Sequence, residues 1–429
     1  MTKKTIPIPP GYKLTKIGVL PVEWEAKRIR DLEATVTSGS RGWAEYYDED
    51  GNGLFIRITN LDRNNLFLNF SKNKYVNLPH GTTEGKRTRL HEGDILISIT
   101  ADLGIIGYWK TTNHPEAYIN QHVSMIRIMD RSVDKLFTAY QLSSPLVQRL
   151  IQVQCDQGAK AGLNLSSVNN IQIPLPPLPQ QQKIAQILAT WDHAITTQTQ
   201  LIDAKKEQKR GLMQRLLTGE VRLPGFEGEL FEQTIDEFGT TFNGLTGKNK
   251  ESFGAGEPYI SYMNVFKNTF VDFDISDFVE IGPTDNQNVV ITGDIIFTVS
   301  SETPSEVGMS SAVLNCSGQV YLNSFCFGLR PKNKDSVDFK YLGYYFRSQE
   351  MRKKISSLAQ GSTRFNLSKG NFKKLVINLP QKEEQEAIAN ILFTADREIH
   401  LLETRLTEFR EQKRGLMQRL LTGQVRVTP

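Results

Sequence analysis

The chain has 429 residues, of which 39% are hydrophobic and 23% charged, which is typical of a soluble globular protein with two or three domains. Its 51 Lys and Arg residues against 47 Asp and Glu give a net charge of +4, too weakly basic to indicate a nucleic-acid binder by itself. There is no apolar run of the ~18 residues that a membrane span needs and no signal-peptide core, and the three Cys residues form no C-x-x-C pair. We therefore expect a cytoplasmic protein.

Residues 1–179 are predicted to form a first domain of mixed strands and helices. The run ILISIT (residues 95–100) is β-branched and bounded by turn residues, which predicts a strand. DKLFTAYQLSSP (134–145) predicts a helix near the end of the domain. The proline run PLPPLP (174–179) interrupts regular structure, so we place the domain boundary at its end.

Residues 180–219 predict a first long helix. They contain no Pro, and Gly211 is the first Gly, so a continuous helix through Leu217 would extend roughly 57 Å. A heptad register that starts at Ile184 places apolar residues at seven of ten seam positions. This pattern favours a coiled coil and requires a partner helix.

The second half repeats this plan. Residues 220–382 predict a second strand-rich domain, with IIFTV (295–299) as a strand and DFKYLGYYFRS (338–348) as a closing helix. Residues 383–423 predict a second long helix, and the heptad register from Ile388 is apolar at nine of ten positions. Residues 424–429 are a short tail.

An internal repeat links the two halves. EQKRGLMQRLLTG occurs at residues 207–219 and again, 204 residues later, at 411–423. Weaker matches upstream keep the same order: FIRITNL (55–61) with YISYMNV (259–265), GDILIS (93–98) with GDIIFT (293–298), the NLS triplets at 164–166 and 366–368, and IAQIL (184–188) with IANIL (388–392). The period is far longer than the ~20–50 residues of solenoid repeats, so we infer a duplicated domain-plus-helix.

The two long helices are the obvious partners for each other. The fold class we predict is α+β, with two pseudo-symmetric globular domains joined by two long helices that form a coiled coil. The alternative is that each amphipathic helix packs only on its own domain. A length of about ten turns argues against it, because a domain of this size rarely offers so long a groove.

The sequence contains no recognisable catalytic constellation. There is no G-x-x-x-x-G-K-[ST] phosphate loop, no H-E-x-x-H or Cys/His cluster for a metal, and no Asn-Pro-Pro-Tyr motif of an amino methyltransferase. The six His residues are scattered, and His122 could be a core or rim residue as easily as a base. We therefore expect a non-enzyme with no metal and no cofactor of its own.

Several motifs together resemble a known family. They are GVLPVEW (18–24), PLPPLPQQQKIA (174–185), the two QKRGLMQRLLTG stretches and VRLPGF (221–226), and they resemble the specificity subunits of type I restriction-modification enzymes over essentially the whole chain. The shorter second lead-in, and Phe231 where a Trp often stands, depart from the family pattern.

The resemblance implies a division of labour. Each domain would be a target-recognition domain that recognises one half of a split DNA target, and the helices would pair antiparallel. With such pairing, the heptad registers place Trp191 and Phe409 on buried seams. Two modification subunits that methylate adenine, and restriction subunits that cleave and translocate DNA, would be the partners. S-adenosylmethionine, ATP and Mg would belong to those partners. A structural coiled-coil adaptor with two protein-binding domains is the alternative function.

Direct recognition of bases needs polar side chains that reach the major groove. Polar loops and the two NLS turns, for which we expect a shared scaffold or phosphate role, supply the DNA-binding candidates: Arg41, Lys86, Arg87, Arg89, Lys160, Asn164, Lys248, Lys250, Arg364 and Asn366. Solvated surface turns remain the alternative for each loop.

The repeated helix stretch supplies the candidates for partner binding. Glycine within a helix costs about 1 kcal/mol relative to Ala, yet both copies contain one, and the copies are identical where the preceding turns are not. Two identical surfaces suggest two identical partners, the modification subunits. The candidates are Gly211, Leu212, Met213, Gly415, Leu416 and Met417. The alternative is a tight helix–helix crossing within this chain.

Overall fold

A computed structural model describes residues 8–79, 82–83, 85–110, 116–155, 162–274 and 277–428. The chain divides into two compact units, one formed by Met1–Thr199 with Thr404–Pro429 and the other by Gln200–Glu403. Both boundaries fall inside a long helix. Each unit therefore combines one domain with the first part of one long helix and the last part of the other.

The first unit contains eleven strands in its described residues. They are β1 (Tyr12–Thr15), β2 (Gly18–Pro21), β3 (Glu25–Arg28), β4 (Ala34–Ser38), β5 (Gly53–Ile56), β6 (Tyr75–Val76), β7 (Ile95–Ser98), β8 (Ile106–Tyr108), β9 (Glu116–Ile119), β10 (Val123–Ile128) and β11 (Gln172–Leu175). The helices of this domain are α1 (Lys135–Ser143), α2 (Pro145–Cys155) and α3 (Leu165–Asn170), and the first long helix, α4, is Leu178–Leu217.

A four-stranded antiparallel sheet of order β4-β10-β7-β8 forms the centre of this domain. Alternate residues point to opposite faces of a strand. Ile95 and Ile97 accordingly join the core that contains Phe137 of α1, whereas Leu96 joins a second core with Leu54 of the sheet β6-β5-β9. Burial on both faces explains why these strands read as unbroken apolar runs.

The second unit repeats the arrangement. Its strands are β12 (Phe231–Thr234), β13 (Gly239–Asn243), β14 (Phe253–Ile260), β15 (Asp277–Val279), β16 (Ile295–Thr298), β17 (Ser300–Ser301), β18 (Ser310–Ala312), β19 (Tyr321–Leu322), β20 (Cys326–Pro331), β21 (Ala359–Gln360), β22 (Phe365–Leu367) and β23 (Val376–Leu379). Its helices are α5 (Ile235–Phe238), α6 (Tyr262–Lys267), α7 (Phe339–Tyr345), α8 (Gln349–Ser356), α9 (Lys369–Lys373) and the second long helix, α10 (Lys382–Leu420).

The central sheet of the second unit has the order β13-β20-β16-β18, the counterpart of the first. Its core is aromatic: the Phe297 ring centroid lies 5.3 Å from that of Phe327, 5.1 Å from Phe346 and 4.8 Å from Phe372. The same topology around a different core confirms the predicted duplication and the α+β class.

The long helices contain 40 and 39 residues. Helix α4 begins two residues before residue 180, so that Pro179 lies in its first turn, where the backbone nitrogen needs no acceptor within the helix. All twenty predicted seam positions are buried or half-buried. No helix in the described ranges is long and apolar enough to cross a membrane.

The helices run in opposite directions within each unit. In the first unit, Ile184 and Leu188 share a core with Leu420 and Leu421, whereas Ile195 lies beside residues 407–410. In the second unit, Lys205 pairs with Glu398 and the later Lys209 pairs with the earlier Asp396. The predicted antiparallel coiled coil is confirmed.

The rings of Trp191 and Phe409 meet edge to face in the first unit. Their centroids are 5.8 Å apart and both residues are half-buried. Each repeated stretch packs on the domain of its own unit, which is not the domain that precedes it in sequence. Leu420 and Leu421 complete the core of the first unit, and Leu216 and Leu217 that of the second. The helices therefore also pack on domains, in addition to pairing.

Candidate nucleic-acid interface

One end of the central sheet in the first unit collects polar side chains. Strands β4 and β7 end there, at Ser38 and Ser98, and β10 begins there, because Ser124 pairs with Ser38 and Val123 with Ser98. Three loops leave the sheet at this end, at residues 39–42, 99–105 and 120–122. We name this edge the first sheet end.

The side chain of His122 contacts polar groups of two loops at the first sheet end. Thr100 Oγ1 is 2.7 Å from His122 Nδ1, and Gln121 Nε2 is 3.0 Å from His122 Nε2. The backbone N–H of Ile99 donates to the His122 carbonyl at 3.0 Å, and this hydrogen bond connects the loop at residues 99–105 to the loop at residues 120–122. Hydroxyl, amide and imidazole groups of this kind can donate to and accept from base edges.

Thr100, Gln121 and His122 were not among the sequence-predicted DNA contacts. The signal that could have identified them is the polar run between two apolar strands, NQH at residues 120–122. That run would have marked a loop, but not its position at a sheet end.

The predicted cations of the first unit differ in what they contact. Arg41 and Lys86 are exposed. Arg87 donates to Thr37 Oγ1 and so holds residues 86–89 against the end of β4, close to the loop that contains Arg41. Arg89 Nη2 lies 3.3 Å from Glu116 Oε1, so part of its charge is neutralised within the chain.

Lys160 lies outside the described residues. Its role in DNA binding stays a prediction.

The two NLS triplets do not occupy equivalent positions, contrary to the sequence-based expectation. The N–H groups of Leu163 and Leu367 donate to the equivalent carbonyls of Ile99 and Val299, at 3.1 and 2.8 Å. Asn164, which follows Leu163, therefore corresponds to Ser368 and not to Asn366.

Helix capping explains why Asn164 is equivalent to Ser368. Asn164 accepts the Ser167 N–H at 2.7 Å at the start of α3, and Ser368 accepts the Asn371 N–H at 3.4 Å at the start of α9. Asn and Ser are both favourable N-cap residues, so the equivalent positions keep the same capping function with different amino acids. Asn366 is instead exposed in β22.

The second unit has the corresponding sheet end, where β13 and β16 finish and β20 begins. Arg364 lies 5.5 Å above the ring of Phe325, which is 53% exposed. Lys369 donates to Asn243 Oδ1, and partial burial lowers the pKa of its ammonium group. Sequence reasoning identified Arg364 and Asn366 but missed Phe325 and Lys369.

The loop that contains Lys248 and Lys250 is fixed to a neighbouring loop. Lys248 Nζ contacts the Asp285 carboxylate and the Glu280 carbonyl, and its hydrogen bond lowers the pKa of Asp285. Its positive charge is thus used within the chain, whereas Lys250 is exposed. Of the two predicted cations, Lys250 is the one free to meet a phosphate.

The glycines of the repeated stretch have open space around them. A Cβ atom at Gly211 would meet nothing within 4 Å, and one at Gly415 only Arg419 Nη2 at 3.9 Å. A tight crossing of this chain at these glycines is therefore not observed in the described structure. The predicted partner-binding residues beside them, Leu212 and Met213 in one copy and Leu416 and Met417 in the other, are half-buried against the domain cores.

A polar cluster recurs once in each unit, buried in the first unit and partly exposed in the second. Asp192 accepts hydrogen bonds from Tyr140 Oη and Lys413 Nζ, each at 2.6 Å. Asp396 accepts from Tyr344 Oη at 2.7 Å and from Lys209 Nζ at 2.5 Å. Burial and the neighbouring carboxylate raise the pKa of both tyrosines, which stay protonated donors.

In the described part of the chain, no group of three or more His, Cys, Asp or Glu could hold a metal ion.

Both halves of the chain are similar to known proteins. A model of the type I restriction modification DNA specificity domain matches it twice, at residues 21–204 and 230–410. Two proteins of Methanocaldococcus jannaschii are similar over nearly the whole length. The putative type I restriction enzyme MjaX specificity subunit is 26% identical, with 97% of both chains covered. The type I restriction enzyme MjaVIII specificity subunit is 24% identical, with 95% of this chain and 94% of the relative covered.

Solved structures show the same fold. The S subunit of a type I restriction-modification system from M. genitalium has a TM-score of 0.55 at 14% identity, with 93% of this chain and 96% of that chain covered. A chain from a study of complex assembly and conformational transition of the type I R-M system has a TM-score of 0.59 at 17% identity, with 95% and 99% covered.

The two matches to the family model together span most of the chain and coincide with the duplicated plan of domain and long helix. The chain therefore belongs to the type I restriction-modification DNA specificity family, and its function is DNA recognition through two domains of that family.

Proposed function

We propose that each unit recognises one half of a bipartite, asymmetric DNA target through its sheet end. The observation that supports this most strongly is that equivalent sheet ends present different polar groups on one scaffold. The first offers Thr100, Gln121 and His122, and the second offers Arg364 and Asn366. Different donors and acceptors select different bases, so the two halves of the target differ.

The exposed cations beside the sheet ends are proposed to contact phosphates. Arg41 and Lys86 in the first unit and Lys250 in the second are exposed on loops and form no ion pair with a described residue. Phosphate contacts fix the orientation on the duplex and do not distinguish sequences. The net charge of +4 is small for a protein that binds DNA alone, so partner subunits are expected to contribute to binding.

The partners we propose are two modification subunits and the restriction subunits of the same system. In this proposal the chain itself is not catalytic, it works in the cytoplasm, and it directs adenine methylation and cleavage by the partners. S-adenosylmethionine, ATP and Mg would bind to those partners. The open surface at Gly211 and Gly415 supports two equivalent docking points, because a helix can approach closely only where no side chain intervenes.

The experiment that tests the DNA-reading role compares the methylation sites of three variants, expressed with the modification subunit. Gln121→Ala with His122→Ala should relax or abolish recognition in one half of the target only, and Arg364→Ala in the other half only. Lys250→Ala should weaken methylation at all sites alike, because a phosphate contact carries no base preference. Sequencing of methylated adenines measures all three.

Two results would contradict the proposal. One is that both halves of the target change together in either reading variant. The other is that the assembled complex shows no sequence-selective footprint, which is the outcome expected of a structural adaptor with two protein-binding domains.

A further inference from the structure

The first unit contains an open cleft of about 530 Å³ between its domain and the last part of α10. Loop residues 62–66 and 104–106 form one wall, the start of α2 forms another, and Ile195 with residues 407–417 of α10 close the third side. The cleft adjoins the loop at residues 99–105 through Gly104 and Ile105, but Thr100, Gln121 and His122, which are proposed to recognise bases, do not line it.

The second unit has an arginine at the corresponding position. Ser143 ends α1 and Arg347 lies just after α7, and each is followed by a serine, Ser144 or Ser348, whose hydroxyl accepts an N–H in the next helix. Ser143 of the first unit therefore corresponds to Arg347 of the second.

Arg347 fills its site by binding three carbonyl groups. It donates to Ser310 at 2.5 Å, to Val265 at 2.8 Å and to Phe266 at 2.9 Å. Ser143 is too short for this and donates within its own helix, to the Tyr140 carbonyl at 2.9 Å.

The first-unit cleft lies at the site that Arg347 occupies in the second unit. Ile106 pairs with strand β7, and Ser310 pairs at the equivalent position of strand β16. Asp62 directly follows the segment FIRITNL, and Phe266 directly follows the matching segment YISYMNV. Ile106 and Asp62 both line the cleft. The cleft is therefore equivalent to the site that the Arg347 side chain fills in the second unit.

The charges along the cleft also differ between the units. Arg410 and Arg414 line it, are exposed, and form no ion pair with any described residue. In the second unit the counterpart of Arg410 is Lys206, which pairs with Glu403 at 2.6 Å. The residue at the position of Glu403 is Thr199 in the first unit. The first unit thus lacks both the arginine that fills the site and an acid at the position of Glu403.

These features define the chemistry of an occupant. The cleft has an aliphatic lining that suits an apolar side chain: Leu66, Ile105, Ile106, Ile195 and Met417. Two unpaired guanidinium groups at its rim suit carboxylates, which arginine binds in a planar two-point geometry. A duplex phosphate backbone fits less well, because it gains nothing from aliphatic walls.

We propose that this cleft docks an acidic segment of the modification subunit, with an aliphatic side chain inside and carboxylates on Arg410 and Arg414. The inference rests on the proposed function for the identity of the partner. Because Arg347 fills the equivalent site in the second unit, only one of two bound modification subunits makes this contact. The two modification subunits therefore bind with unequal affinity.

The test uses the full chain with the purified modification subunit of the same system. Ser143→Arg introduces the residue that the second unit already accommodates, so it should fold and fill the cleft, and Ser143→Ala is its matched control. We expect Ser143→Arg to weaken binding of one modification subunit roughly tenfold or more, on the scale of a lost charge-assisted contact, with Ser143→Ala unchanged. Native mass spectrometry across a concentration series measures both affinities.

Two further measurements do not depend on the folding of Ser143→Arg. Arg410→Glu with Arg414→Glu changes only exposed side chains and should weaken the same single copy. A photo-crosslinking residue at Gln152, which is exposed and lines the cleft, should couple to a modification-subunit peptide that contains at least two Asp or Glu beside an aliphatic residue.

The outcomes separate this inference from the proposed function. If both copies still bind the Ser143→Arg and double-Glu variants as they bind the unchanged chain, or if Gln152 couples to DNA or to a non-acidic peptide, the docking site is refuted and the proposed function stands. If the unchanged chain binds no modification subunit, the proposed partner is wrong and the docking site falls with it.

Discussion

Lys413 Nζ lies 2.6 Å from Asp192 Oδ1, at a helical seam whose other members are mostly apolar. Lys209 and Asp396 form the same contact in the second unit, at 2.5 Å. A shift of either helix by one turn would separate each charge from its partner. It would leave Asp192, which is 1% exposed, buried without a counter-charge, whereas Asp396 is 36% exposed and can be solvated. Buried polar pairs select one register of a coiled coil, and the pair of Lys413 and Asp192 can do so here.

We predict that Lys413→Met destabilises the first unit by about 3–5 kcal/mol, because it leaves the Asp192 carboxylate, which is 1% exposed, without its counter-charge. Lys206→Met is the control, since Lys206 is 50% exposed and its pair with Glu403 should contribute no more than about 1 kcal/mol. Urea unfolding of both variants measures the difference. Equal losses would refute the role of the buried pair.

Leu406→Asp should destabilise the coiled coil by several kcal/mol, on the order of the cost of an unpaired buried charge. Leu406 is 8% exposed, whereas Leu402 is half-buried, so Leu402→Asp should cost less. Leu401 is 65% exposed on the same helix, and Leu401→Asp provides a matched control. Unchanged melting and unchanged assembly of the Leu406→Asp chain with the modification subunit would contradict the prediction.

Exchange of residues 21–170 for the same segment of a related protein should change only one half of the DNA target. The exchanged segment contains the whole first sheet end and nothing of the second, whose strands lie between residues 239 and 331. Sequencing of methylated adenines identifies the new target. A change in both halves would show that the two units do not recognise DNA independently.

Replacement of Gly211 and Gly415 by Leu should lower the number of modification subunits bound, while the isolated chain stays folded. Each glycine has room for a side chain, and Leu favours a helix by about 1 kcal/mol more than Gly. Replacement by Ala should have a smaller effect, because a methyl group obstructs less. Two modification subunits on the Leu variant in native mass spectrometry would rule out docking at these glycines.

The helical seam could be predicted because its apolar residues recur every three and four positions. Lys209 and Lys413 counted as mismatches in that pattern, yet both belong to the seam. Their partners, Asp396 and Asp192, come from the facing helix, and a heptad count considers one helix at a time. Periodicity thus located the seam but not the polar pairs within it.

The sheet ends could not be located from the sequence. A polar loop such as residues 120–122 resembles any solvated turn, and its position depends on the strand order β4-β10-β7, which is fixed by contacts distant in sequence. The NLS triplets misled for a related reason. Leu163 and Leu367 are equivalent and lie 204 residues apart, whereas the matching letters of the two triplets lie 202 residues apart, so the triplets are two residues out of step.

The first unit is discontinuous in sequence, whereas the second is the unbroken segment Gln200–Glu403. On the ribosome the second unit therefore receives all of its residues first. The first domain, although synthesised earlier, must wait for Leu420 and Leu421 to close its core. Its apolar contact surface for those leucines stays uncovered throughout synthesis of the second domain, and exposed apolar surface of this kind favours aggregation of a nascent chain.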